Sequence, residues 1–171
     1  MVLLPRNHKP ITLACLYFLA NSPSNYCQTF SLSIALLPQL GISENGAATS
    51  AWRDAIRDRH EEDELAQLLA GTKKFSEEET HWAELIKSKV ASWRGMIDSL
   101  RIPFENVTLP DTVSILPGNR SGSDAFIYST VTICFDLSQL QQQYGVAASS
   151  VNHSRLDRFF AHEFTHVLHK A

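Results

Sequence analysis

Apolar residues recur along the chain at two spacings, and the change from one to the other predicts its elements. From Ala47 to Ala70, the residues Ala48, Trp52, Ala55 and Ile56, then Leu65, Leu68 and Leu69, return at helical intervals. The acidic cluster Glu61, Glu62, Asp63 and Glu64 marks a break between two helices and reads as a solvated face. Gly71 is a natural stop. The next helix carries the clearest pattern. Ser76 followed by Glu79 forms a capping box, and Glu77, Glu78 and Glu79 complement the positive end of the helix dipole. Trp82, Leu85, Ile86, Val90, Trp93, Ile97 and Leu100 then trace one core-facing stripe that ends before Pro103.

Beyond Pro103 the period shortens. Val113 to Leu116 reads as a short strand, and Pro117 to Asp124 as a turn-rich loop. Ala125 to Phe135 is rich in β-branched and aromatic residues, as a strand or tight hairpin requires. Asp136 caps a brief helix from Leu137 to Tyr144, closed by Gly145. A final helix, capped by Asn152 or Ser154, runs from Arg155 to Lys170. At about 100° per residue, Leu156, Phe160, Ala161, Phe164, Val167 and Leu168 share one arc, with His162, Glu163 and His166 opposite.

These elements define an α+β fold: N-terminal helices and a small β-sheet packed on a C-terminal helix. With 171 residues, 44% of them hydrophobic, the chain suits one domain, expected over residues 25–171. It has 15 basic and 18 acidic side chains, a net charge of −3, and so lacks the basic balance of a nucleic-acid binder. Three cysteines are too few, and odd in number, for a disulfide framework.

Residues 1–24 read differently. Arg6, His8 and Lys9, an apolar run from Ile11 to Ala20, and the small residues Ser22 and Ser24 resemble a secretory signal peptide cut after Ser24. The run is too short to span a bilayer, so no stable membrane span is expected. A secreted or periplasmic location follows, in which Cys27 and Cys134 could pair or stay as thiols. The glycosylation sequons at Asn106, Asn119 and Asn152 point weakly the same way.

The chemistry is concentrated in the final helix, where His162-Glu163-Phe164-Thr165-His166 matches H-E-x-x-H. Residues four apart stack one turn above each other, about 6 Å between Cα atoms. Two imidazoles so placed can converge on one zinc ion at about 2.0–2.1 Å. Glu163 lies off their axis, where it can take a proton from a water on the metal and pass it to a leaving amine. The expected cofactor is therefore Zn2+, held by His162 and His166. Glu163 is the expected general base in hydrolysis of a peptide or protein substrate.

A strand, a short connection and a helix bearing HEFTH together are similar to the upstream half of a zincin, the HExxH zinc metallopeptidase superfamily. The resemblance is specific over about fifteen residues and architectural from Thr112 to Gly145. It implies His162 and His166 as ligands, Glu163 as catalytic base, and a preceding strand that forms the cleft edge and pairs with extended substrate. Ala125 to Phe135 is the matching strand. Zincins place a third ligand downstream, and the chain ends five residues after His166. His169 stands seven residues from His162, about 10 Å along an unbroken helix, too far to share one ion. It also occupies the position where metzincins carry a helix-breaking glycine.

The gluzincin pattern, with a glutamate on a following helix, is the expected branch, and the chain then reads as truncated after the active-site helix. Among upstream residues Cys134 is a candidate ligand, as in peptide deformylases, but TICFDLS does not resemble their cysteine motif and a buried thiol is the default. Asp124, Asp136 and His153 are weaker candidates. Two other readings stand beside the peptidase. One is a catalytically incomplete relic or partner-binding module that retains the helix; the other is a helical interaction domain whose motif is coincidental.

Overall fold

Four strands form a mixed sheet in the order β1-β2-β4-β3: β1 (Ser33–Leu36), β2 (Thr112–Gly118), β3 (Ala125–Tyr128) and β4 (Thr132–Asp136). β1 and β4 both run parallel to β2, whereas β3 runs antiparallel to β4 at the sheet's end. The computed structural model describes residues 33–36, 41–104, 106–109, 111–129 and 131–171. The expected signal segment at residues 1–24 and Cys27 lie outside them. Among the described residues, no helix is long and apolar enough to cross a membrane.

Helices cover both faces of this sheet, and the architecture is α+β as expected. Helix α1 (Ser50–Arg57) and helix α2 (Glu62–Gly71) pack Trp52, Ala55, Ile56 and Leu65 against Leu116, Phe126 and Cys134. Helix α3 (Glu77–Leu100), helix α4 (Leu137–Tyr144) and helix α5 (Ser150–Lys170) cover the other face, where Val113, Ile115, Ile133 and Phe135 meet Trp82, Trp93, Phe160 and Phe164. β4 is buried at every position because alternate side chains enter the two cores. The three tryptophans are core residues with no exposure.

The caps act largely as the sequence implies. Ser76 and Glu79 form both hydrogen bonds of the capping box, at 3.2 and 2.7 Å. Asp136 accepts from the Ser138 and Gln139 amides at the start of α4. The acidic cluster at residues 61–64 is exposed, and α1 and α2 are separate helices.

Several expectations are corrected. The strand expected at Val113–Leu116 continues through Pro117 and Gly118, so the loop begins at Asn119. Pro117 has no amide to donate, but its carbonyl accepts from Gly41 at 2.7 Å. The expected strand from Ala125 to Phe135 is a hairpin, β3 and β4, with Ser129 at φ 58° in its turn. α5 starts at Ser150, two residues before the expected cap at Asn152. Asn152 instead donates to the carbonyls of Tyr144 and Val146, tying the end of α4 to the start of α5. Two of the sequons are structural: Asn119 and Asn152 are buried, whereas Asn106 is exposed. β1 lies in an apolar stretch, Phe30 to Leu40, that carries no decisive strand signal of its own.

Candidate metal centre

α5 is held by its apolar stripe. Leu156, Phe160, Phe164, Val167 and Leu168 are buried in the core shared with α3, while His162 and His166 project into solvent. The stripe fixes the helix's rotation, and the helical repeat then places the two imidazoles one turn apart on the open side. Their Nε2 atoms approach to 3.2 Å, with ring centroids 4.7 Å apart and planes at 88°.

That separation fits a shared ion. Two nitrogens bound at about 2.0–2.1 Å with a tetrahedral angle between them lie roughly 3.3 Å apart. The same approach serves as a hydrogen bond when one imidazole carries its proton on Nε2 and the other does not. In either case the Nε2 edges of the two rings face the same space, since the nitrogens are closer together than the ring centroids. Among the described residues neither Nδ1 has a hydrogen-bond partner of the kind that orients metal-bound histidines.

Glu163 corrects the sequence reading. Periodicity grouped it with the histidines opposite the core, but only His162 and His166 are exposed, and Glu163 is 9% exposed. One step of the helix from His162 turns its carboxylate inward, towards β3, with Oε1 3.9 Å from His162 Nε2. Burial pushes its pKa above the ordinary carboxylate value, against the pull of His162, His166 and Arg59. A carboxyl so placed is a stronger proton acceptor than one in water.

Two open grooves meet at this residue. One, of about 590 Å³, is lined by Asp124, Ala125, Arg158, Phe159, His162 and Glu163, among others. The second, of about 310 Å³, is lined by Arg59, Ala125, Phe126, Ile127, Glu163, His166 and Lys170. Ala125 and Glu163 border both, so the grooves follow one line along β3 and α5.

Among the described residues β3 pairs only with β4. The Asp136 amide donates to Asp124 O at 2.9 Å, which makes Asp124 and Asp136 a hydrogen-bonded pair at the mouth of the hairpin. By alternation Phe126 and Tyr128 turn their backbone groups towards β4, and Ala125 and Ile127 turn theirs outward. The edge expected to pair with substrate is therefore β3 alone, since β4 is interior to the sheet.

The other candidate ligands lie elsewhere. His169 packs edge-on against Phe104, with centroids 5.1 Å apart. Cys134 is fully buried among Trp52, Leu116 and Phe126, and burial pushes its thiol pKa far up. Asp136 is occupied as the α4 cap and by the Ser121 amide and hydroxyl. Asp124 borders the larger groove and accepts the Tyr144 hydroxyl at 2.5 Å, while its buried Oδ1 has no partner among the described residues. His153 is exposed at the far end of α5. Among the described residues, no three His, Cys, Asp or Glu side chains come together as a metal site.

Arg59, Arg158 and Lys170 complete the groove walls without any linear signal. Arg59 arrives from the turn between α1 and α2, and only the fold brings it to α5. Comparison with protein-family models, curated proteins and solved structures finds no match to this chain.

Proposed function

We propose that this chain is a zinc-dependent peptidase domain of zincin type that cleaves peptides laid along β3. The reading is supported above all by the convergence of His162 and His166, whose Nε2 atoms are 3.2 Å apart beside the buried carboxylate of Glu163. His162 and His166 would hold the ion, and a third donor would come from outside the described residues. A zinc ion there supplies a Lewis acid that polarises a carbonyl and acidifies a water. Glu163 takes the proton of the attacking water and delivers it to the departing amine. The outward amides and carbonyls of Ala125 and Ile127 bind the substrate backbone as an added strand, which positions the scissile bond over Glu163.

The test is metal content and hydrolysis measured together on the full chain. Wild type is expected to retain zinc after dialysis and to cleave a quenched-fluorescent peptide library. Glu163→Gln should keep the zinc and lose turnover by about 100-fold or more, as removal of a general base does. His162→Ala should lose both. Cleavage that persists in Glu163→Gln rejects the mechanism.

A second reading is a partner-binding module that keeps the helix but holds zinc weakly. It draws on the Nδ1 atoms of the two exposed histidines, which have no orienting partners among the described residues. Weak, exchangeable zinc with no hydrolysis distinguishes it.

A further inference from the structure

Among the described residues Arg59 is held in place without a direct ion pair, although Glu163 lies within reach of its charge. Its guanidinium carbon lies 4.5 Å from the centre of the Phe126 ring, and Nη2 donates to Ser123 Oγ at 3.0 Å. Phe126 is itself buried, 2% exposed and packed on Trp52 with centroids 5.8 Å apart. Both contacts come from the hairpin arm that contains β3, so the cation is anchored to the edge that would receive a peptide. A guanidinium has five N–H donors, and the described residues use one of them. The Lys and Arg ion pairs of the described residues involve other cations: Arg57 with Asp54, Lys87 with Glu84, and Lys89 with Asp157.

The groove that Arg59 overlooks is cationic although the chain as a whole is acidic. Its charged walls are Arg59, Lys170 and Glu163, with His166 beside them, against a net charge of −3 for the protein. The adjoining groove has the opposite balance, lined by Arg158 together with Asp124 and Glu163. A chain running along β3 therefore leaves a region that holds Asp124, crosses Glu163, and enters one with two cations, Arg59 and Lys170. A stacked guanidinium with free donors suits one ligand class above others, the planar carboxylate, which it grips with two parallel hydrogen bonds.

We propose that the groove beside Arg59 is a specificity site for a carboxylate on the bound peptide, one or two residues from the bond over Glu163. This deepens the peptidase reading and rests on it for the peptide's path along β3. The carboxylate is supplied either by an acidic side chain or by the peptide's own C-terminus, the latter making the protein a carboxypeptidase. Arg59 is a specificity-determining residue and takes no part in proton transfer.

Binding tests this separately from hydrolysis. The full chain carrying Glu163→Gln, zinc-loaded, is titrated with three fluorescent peptides by anisotropy. One is neutral and C-terminally amidated, one has a single Glu and an amidated end, and one is neutral with a free C-terminal carboxylate. At least one carboxylate peptide is expected to bind about tenfold tighter than the neutral one, and the tighter of the two identifies the source. Arg59→Ala should erase that preference and leave the neutral peptide's affinity unchanged, and Arg59→Lys should restore part of it. Arg59 is itself exposed but covers the Phe126 ring, so a urea-unfolding check accompanies Arg59→Ala, and Arg59→Lys keeps an aliphatic stem available over that ring.

The proposal is overturned if no peptide binds, if the three bind alike, if the preference survives Arg59→Ala, or if Arg59→Ala weakens all three equally. An Arg59-dependent preference in a wild-type protein that cleaves nothing would remove the peptidase reading and leave the carboxylate site standing.

Discussion

The indole of Trp93 lies flat on the ring of Phe160, with centroids 4.5 Å apart and planes 3° from parallel. Phe135 of β4 stacks beside Trp93 at 5.8 Å, and Phe164 beside Phe160 at 5.7 Å, so one aromatic run joins α3, the sheet and α5. Its polar end is satisfied as well, since Trp93 Nε1 donates to Asp157 at 2.9 Å and Lys89 pairs with the same carboxylate at 2.8 Å. This run sets the rotation of α5, and with it the direction of His162 and His166. Phe160→Ala is expected to destabilise the fold by about 3–5 kcal/mol, measured by urea unfolding. It should also weaken zinc binding, although Phe160 is no ligand. A loss below about 1 kcal/mol would refute the anchoring role.

Gly118 sits against a second indole. A Cβ at this position would lie 2.3 Å from Trp52 Cε2 and 2.4 Å from Cδ2. Trp52 cannot retreat, because it is fully buried and its Nε1 donates to Asn119 O at 2.9 Å. Gly118→Ala should therefore cost about 1–3 kcal/mol through overpacking. Gly95 provides the contrast. It lies within α3, and a Cβ there meets nothing within 4 Å. Gly95→Ala should stabilise by about 0.5–1 kcal/mol through the helix's backbone entropy. Melting temperatures that shift in the same direction for both variants would contradict the packing described.

Tyr144 supplies a pH signature. Partial burial, then its hydrogen bond to Asp124 and that carboxylate's charge, push the phenol from 10.0 to about 12, against the guanidinium of Arg155 above the ring. The neutral phenol is the favoured form in the folded protein. Its contribution to stability is present below pH 10.0 and is lost as pH rises from there towards about 12. Tyrosinate absorbance should show a late-titrating component that disappears in Tyr144→Phe and moves to lower pH in Asp124→Asn. Identical titration curves for wild type and Tyr144→Phe would rule out the shift.

The helices were legible because their signals are local. Ser76 and Glu79 are three residues apart, and the stripe from Trp82 to Leu100 repeats within one element. The two histidines of the site were legible for the same reason, one turn of one helix. Glu163 was misplaced because helical phase measures angle but does not reveal which neighbour covers a flank, and here β3 covers it. β1 acquires its identity from parallel pairing with β2, nearly eighty residues away, a contact that no local pattern encodes. Arg59 was invisible for the same physical reason: its role depends on Phe126 and α5 meeting in space.

Cys134 separates a buried thiol from a metal ligand. It has no exposure, and burial followed by the charge of Glu163 raises its pKa, although Arg59 opposes this. A thiol held protonated is a poor nucleophile and a poor ligand. Iodoacetamide with peptide mapping should leave Cys134 unmodified in the native protein and label it fully in denaturant. Cys134→Ser should leave zinc content unchanged. Zinc loss in that variant without unfolding would make Cys134 the missing third donor.

The substrate edge can be tested without touching any charged group. The Ala125 amide points away from β4, so proline there removes a donor that the sheet does not use. Proline also fixes φ near −65°, within reach of extended backbone, and the preceding Asp124 is free to remain extended. Ala125→Pro is therefore expected to keep its zinc and lose no more than about 1 kcal/mol of stability. Peptide affinity and turnover should both fall, by about tenfold or more, since the added strand loses a ladder bond and its register. The neutral and the carboxylate-bearing peptides should suffer alike, which distinguishes loss of the strand from loss of the Arg59 contact. Wild-type turnover in a folded Ala125→Pro protein would mean that peptide does not bind by joining β3, and the path across Glu163 would have to be redrawn.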